Sequence, residues 1–122
     1  MQPHPWNSLL QKIKSNVESV TETNFTTVLL NQYRDGKDSN GWHADDEKEL
    51  GTNPIIASLS FGAERTFQLK HNWDKTQKKS ILLEHGSLLI MQGTTQHFWK
   101  HQIPKTSKAI GSRINLTFRV IQ

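Results

Sequence analysis

The chain has 122 residues, enough for one domain, with 34% hydrophobic and 21% charged residues, and its formal net charge of +4 suits an anionic partner. It contains no cysteine, which excludes disulfide scaffolds, thiolate metal sites and cysteine nucleophiles. No apolar stretch approaches the roughly 20 residues that span a bilayer, and the start, Met1-Gln2-Pro3-His4-Pro5, lacks the basic and apolar regions of a signal peptide.

The first element is a helix expected over 5–21. Pro5 suits a first turn, and Trp6, Leu9, Leu10, Ile13, Val17 and Val20 recur at helical spacing with a polar opposite face. Short strands follow, separated by turn residues. Residues 25–33 are rich in β-formers, and Asp35-Gly36 and Asn40-Gly41 mark turns. Pro54 opens a strand through Phe61 that stops at Gly62. Residues 66–70 and 80–83 alternate, and Gly86 and Gly93 bound 87–91. Residues 97–103 run up to Pro104, and 113–121 close the chain. About eight short strands after one helix predict a mainly β fold, a sandwich or barrel of jelly-roll type with an N-terminal packing helix.

The last strand has two distinct faces. By period two, Arg113, Asn115, Thr117 and Arg119 share one face, and Ile114, Leu116, Phe118 and Val120 the other. The simplest reading is a half-buried strand with a wet face. Yet two arginines bracketing Asn and Thr also make a clamp. Six residues at ~3.3 Å rise separate them by about 20 Å, and their arms can lean in to grip a short dicarboxylate, for which guanidinium is the preferred partner.

Trp42-His43-Ala44-Asp45-Asp46-Glu47 contains His-x-Asp. In an extended segment these side chains point the same way, their Cα atoms about 7 Å apart, so one metal can be gripped by both. A further histidine would complete the two-histidine, one-carboxylate triad of non-haem Fe(II). The candidates are His71, His85, His97 and His101. His97 and His101 fall on one side of the same expected strand, ~13 Å apart, so only one of them serves, and spacing does not choose.

Taken in order, Asn31-Gln32-Tyr33-Arg34-Asp35-Gly36, His43-Ala44-Asp45-Asp46-Glu47, the run from Pro54 to Ala63, His85-Gly86-Ser87-Leu88-Leu89-Ile90-Met91 and the run from Arg113 to Arg119 resemble the AlkB family, nearest its animal homologues 2 and 3 and their microbial relatives. These are Fe(II)- and 2-oxoglutarate-dependent dioxygenases that repair alkylated bases. The resemblance covers about residues 24–121 and implies a single catalytic domain over 1–122, folded as a double-stranded β-helix (jelly roll). It implies oxidative demethylation of N-alkylated bases in DNA or RNA, with succinate, CO₂ and formaldehyde released. Other readings are a dioxygenase of the same fold acting on a protein or small molecule, and a non-catalytic nucleic-acid-binding β-domain.

The family pattern Trp-x-His-x-x-Pro matches Trp99-Lys100-His101-Gln102-Ile103-Pro104, so the implied metal ligands are His43, Asp45 and His101. By the same resemblance Arg113 with Tyr33 takes the distal carboxylate of 2-oxoglutarate. Arg119 with Asn31 lies near the carboxylate beside the keto group, and Asn115 and Thr117 support the site. Asp46 and Glu47 face the substrate base. Arg65 either contacts the nucleic acid backbone or makes a surface ion pair. Complete family members place a nucleotide-recognition lid before the helix, and the expectation here is that this lid is missing. An open site then favours single-stranded DNA or RNA, met by a monomer in the cytoplasm or nucleus.

Overall fold

The computed structural model describes residues 8–44, 50, 54–93, 95–108 and 110–120. Helix α1 (Ser8–Thr21) leads into eight strands: β1 (Thr27–Tyr33), β2 (Asn40–His43), β3 (Ile56–Gly62), β4 (Arg65–His71), β5 (Lys78–Leu83), β6 (Leu88–Met91), β7 (Trp99–Ile103) and β8 (Arg113–Arg119). A single-turn helix α2 (Thr95–Phe98) precedes β7. The strands form two antiparallel four-stranded sheets, ordered β1-β8-β3-β6 and β2-β7-β4-β5. This is the mainly β jelly roll with an N-terminal helix that the sequence pattern predicts.

Two apolar clusters hold the layers together, and strand alternation sorts residues between them. Between the sheets lie Tyr33, Leu50, Ile56, Phe67, Leu83, Met91 and Ile103. On the other side of the first sheet, Ala57, Leu116 and Phe118 pack with Phe25 and with Val17, Leu10 and Ile13 of α1. The helix thus covers the first sheet from outside. Both faces of β8 are therefore occupied, and its polar face is no wet surface: Arg113, Asn115 and Thr117 are buried. Leu9 and Val20, expected on the apolar stripe of α1, are instead exposed. The narrower stripe suffices because Glu18 ties the helix end to the next segment, accepting from Lys14 Nζ at 2.8 Å and from the Phe25 amide at 2.6 Å.

Two further expectations change. Asn40-Gly41 opens β2 rather than turning the chain, because the β2 backbone pairs with β7. His97 sits in α2, not on β7, so it never shares a strand face with His101. No helix among the described residues is long and apolar enough to cross a membrane.

Gly62 ends β3 with φ +94°, and a Cβ there would collide with the Ser112 carbonyl oxygen, which accepts from the Ala63 amide at 2.9 Å. The Gly62→Ala variant is expected to lose about 2 kcal/mol or more of stability in denaturant unfolding. An unchanged midpoint would show that the β3–β4 turn relaxes freely.

Candidate active site

The register of β1, β8 and β3 assembles one polar wall. Tyr33 lies opposite Arg113, Asn31 opposite Asn115, and Leu29 opposite Thr117. On the other flank of β8, Ser60 lies opposite Asn115 and Ser58 opposite Thr117. All of these strands turn alternate residues inward, so the period-two pattern becomes a lining. The wall faces a cavity of about 380 Å³ between the sheets, bordered by Asn31, Tyr33, Arg113, Asn115, Thr117 and Arg119, with His43 and His101 also at its edge.

Within this wall the polar groups are braced by one another. Thr117 Oγ1 donates to Asn115 Oδ1 at 2.8 Å, and Asn115 Nδ2 donates to Ser58 Oγ and the Leu59 carbonyl. Arg113 is only 2% exposed. Its Nη2 donates to Ser60 Oγ at 3.0 Å, while Nε and Nη1 are buried without a hydrogen-bond partner among the described residues. Its guanidinium lies 4.9 Å from the centre of the Tyr33 ring. Burial pushes the Arg113 pKa down, and Tyr33 is the main influence opposing it. Arginine nevertheless keeps its charge in proteins. A buried guanidinium with two idle donors beside an open cavity is a receptor for an anion.

The opposite wall carries the histidines. His43 and His101 are register partners on β2 and β7, their ring centres 4.2 Å apart. His43 Nδ1 lies 2.7 Å from the Gly41 carbonyl oxygen. That contact places a proton on Nδ1, so in the neutral ring Nε2 carries the lone pair, the tautomer of a metal ligand oriented by a carbonyl. His101 is buried and stacks on Phe67 with centres 5.2 Å apart. Burial first, then the charges of His43 and Arg119, push its pKa down to about 4, so it is neutral at physiological pH. Among the described residues no third metal-binding side chain joins the pair. Asp45, Asp46 and Glu47 lie outside the described residues.

Arg65 departs from the expected surface role. It is 3% exposed, and its guanidinium donates to the carbonyls of Asp35 at 3.2 Å, Asp38 at 2.9 Å and Pro104 at 2.7 Å. A side chain so enclosed reaches neither a phosphodiester nor a surface carboxylate. The serines Ser58 and Ser60 are functional neighbours that motif reading passed over. Their signal was alternation in 56–61, which puts both serines on the face opposite Ala57, Leu59 and Phe61.

Comparison with known proteins agrees with this architecture. The 2OG-Fe(II) oxygenase superfamily model matches residues 1–119. The chain is 47% identical to alpha-ketoglutarate-dependent dioxygenase alkB homolog 3 of Mus musculus, over 99% of this chain and 46% of that protein. It is 41% identical to DNA oxidative demethylase ALKBH2 of Homo sapiens, over 99% of this chain and 49% of that protein. The chain therefore spans about half the length of these curated relatives. The solved structure of OsALKBH1 superposes with a TM-score of 0.73 at 21% identity, covering 97% of this chain and 67% of that one, which extends the likeness of fold. The matched family model, together with the inward-facing arginine strand and the paired histidines, makes this chain a member of the 2OG-Fe(II) oxygenase superfamily and, within it, of the AlkB family.

Proposed function

We propose that this chain is the catalytic core of an Fe(II)- and 2-oxoglutarate-dependent dealkylase acting on N-alkylated bases of a single nucleic acid strand. The observation that carries the reading is the cavity itself. One wall offers a buried guanidinium with no carboxylate partner among the described residues, the other offers two adjacent histidines, and the space between them admits a small dicarboxylate. The residues present therefore fit both groups.

His43 and His101 would hold the metal, with Asp45 as the third ligand. Arg113 and Tyr33 would hold the distal carboxylate, and Arg119 with Asn31 the carboxylate beside the keto group. When bound, iron and 2-oxoglutarate supply the O₂-dependent hydroxylation of an N-alkyl carbon, with succinate and CO₂ as products. The chain's own contribution is orientation. The Ser58–Asn115–Thr117 chain of hydrogen bonds fixes the floor of the cavity. Gly41 fixes the His43 ring, and Phe67 packs the dry side of His101. Asp46 and Glu47 are assigned to the base. A base must leave its stack to reach such a cavity, which a single strand permits at least cost.

The nucleic acid partner has support on the outer side of the second sheet. His101 turns into the cavity, so Lys100 turns away from it, and Lys100, Lys70 and Lys78 lie directly opposite one another across β7, β4 and β5. Like charges in such register repel, and a polyanion relieves that repulsion. Lys70 Nζ also sits 4.3 Å from the centre of the Trp42 ring, and Trp73 at the β4–β5 turn is 69% exposed, which supplies the aromatic faces on which unpaired bases stack. Reversing Lys70 and Lys78 to glutamate is expected to weaken binding of an unmodified single-stranded oligonucleotide. It should also reduce the slope of log affinity against log salt by roughly one per lost phosphate contact. An unchanged slope would remove these lysines from the interface.

The reading as a whole is tested by anaerobic titration with Fe(II) and 2-oxoglutarate, followed by admission of O₂ to a mixed methylated oligonucleotide. Mass loss from the oligonucleotide, matched by succinate, is expected. Succinate formation without loss of alkyl groups would point to another substrate class. No binding of either ligand would end the proposal.

A further inference from the structure

Arg65 has no carboxylate partner among the described residues, and neither has Arg113. The Arg65 donors go to neutral carbonyls of Asp35, Asp38 and Pro104. The Asp38 carboxylate, whose pKa is lowered mainly by Arg34, feels Arg65 only as the smallest of its influences and is bound to Arg34 at 2.9 and 3.0 Å. Yet Arg65 and Arg113 share an aromatic ring. Their guanidinium carbons lie 5.4 Å and 4.9 Å from the centre of Tyr33. Arg65 does not border the cavity, whereas Tyr33 and Arg113 do. Two buried positive charges held beside one ring raise the potential at that end of the cavity, and no carboxylate among the described residues forms an ion pair with either.

We propose that Arg65 is a positioning residue for the carboxylate end of the cavity. It fixes the Tyr33 ring by cation–π contact and adds a second positive charge behind Arg113, so that the pair selects a 2-oxo acid carrying a distal carboxylate over one that lacks it. Three carbonyls from two loops, Asp35 and Asp38 before β2 and Pro104 after β7, hold its fork rigidly, which costs stability in the empty protein through repulsion between the two guanidiniums. A ligand carboxylate relieves that repulsion on binding. Carbonyl ligation is what permits this. A carboxylate partner would cancel the charge, whereas carbonyls satisfy the donors and leave the charge active. The inference rests on the cosubstrate reading above and goes beyond it by separating a field effect from direct contact.

The experiment compares affinities for 2-oxoglutarate and for 2-oxobutyrate, which lacks the distal carboxylate, in the presence of Mn(II) as a redox-inert metal. Arg65→Gln retains an amide donor but removes the charge, and Arg65→Lys retains the charge but removes the fork. Thermal unfolding of each ligand-free variant reports the structural contribution separately. Arg65→Gln is expected to reduce the preference for 2-oxoglutarate about tenfold, the scale of one charge acting through several ångström of partly buried protein. Its affinity for 2-oxobutyrate should stay within about twofold of the parent's, the sensitivity to a neutral end being small. Arg65→Lys is expected to unfold at lower temperature yet keep most of the preference. Equal loss of affinity for both acids in Arg65→Gln would reduce Arg65 to a structural brace and overturn the inference. So would loss of the preference in a folded Arg65→Lys, and that second test stands even if Arg65→Gln does not fold. If the parent protein binds neither acid, the cosubstrate reading fails first. If it binds 2-oxoglutarate and the preference survives both substitutions, only the role of Arg65 fails.

Discussion

Replacing Arg113 with methionine is expected to lower the affinity for 2-oxoglutarate by about 100-fold or more, the loss of two charge-assisted hydrogen bonds, without lowering the stability of the ligand-free protein. The two halves of this result have one cause. In the ligand-free state Arg113 is a buried cation with two idle donors, held only by Ser60 and Tyr33 and with no carboxylate partner among the described residues, and such a group destabilises the state that contains it. Methionine fills similar space between Tyr33 and Ser60 and removes that cost. The anion is what turns the arginine from a liability into an asset. The measurement is the melting temperature with and without saturating 2-oxoglutarate. The parent should gain stability with ligand concentration. The Arg113→Met protein should start at or above the parent's ligand-free value and gain almost nothing. Arg113→Lys should fall between, since a point charge replaces a planar fork. An undiminished ligand-induced shift in Arg113→Met would show that the carboxylate binds elsewhere.

The same strand shows why some of this protein was legible in one dimension and some was not. Alternation along 113–119 is a local property, so it announced both the inner polar row and the outer apolar row that meets the helix, and the same alternation lies unread in 56–61, where apolar residues on both faces mask it. The position of Tyr33 and Asn31 opposite Arg113 and Asn115 follows once β1 and β8 pair. Other features depend on what arrives from elsewhere. Asn40-Gly41 has the composition of a turn, yet β7 supplies hydrogen-bonding partners and makes it a strand. His97 carries no mark of its helical turn, because one turn of helix has no period to read. Arg65 looks like any arginine after a glycine turn, and only the fold brings three loop carbonyls around it. Leu9 and Val20 fit a helical stripe that is wider than the surface it covers. The histidine pair lies between these extremes. His43 and His101 are 58 residues apart in the chain, and the pairing of β2 with β7 alone makes them neighbours.

Substituting His101 should separate the two histidines near the end of that region. His101→Asn is expected to abolish turnover and weaken metal binding beyond the roughly 10–100-fold that loss of a supporting group brings. His97→Ala should bind metal as the parent does, because His97 lies on α2 and contributes its carbonyl, not its ring, to Asn72 at 3.1 Å. The metal-free protein offers a second, independent readout. His101 has a folded pKa near 4 against an ordinary 6.5, through burial and the charges of His43 and Arg119. A folded pKa below the unfolded one means that the unfolded chain takes up the proton first. Above about pH 6.5 the group contributes no pH dependence. As the pH falls from there toward 4 the metal-free protein should lose about 3 kcal/mol. The carboxylates of Glu18, Asp38 and Asp74, all held below their ordinary values by Lys14, Arg34 and Thr76 respectively, act in the opposite sense to a raised pKa but in a lower window, their contribution fading only below about pH 4.5. The decline between pH 6.5 and 4.5 is therefore the signature of His101. Denaturant unfolding of the metal-free parent and of His101→Asn across that range should give a sloping and a flat profile. A slope that persists in His101→Asn would assign the titration to another group and leave His101 accessible to protons, contrary to a ring packed on Phe67 at the dry edge of the cavity.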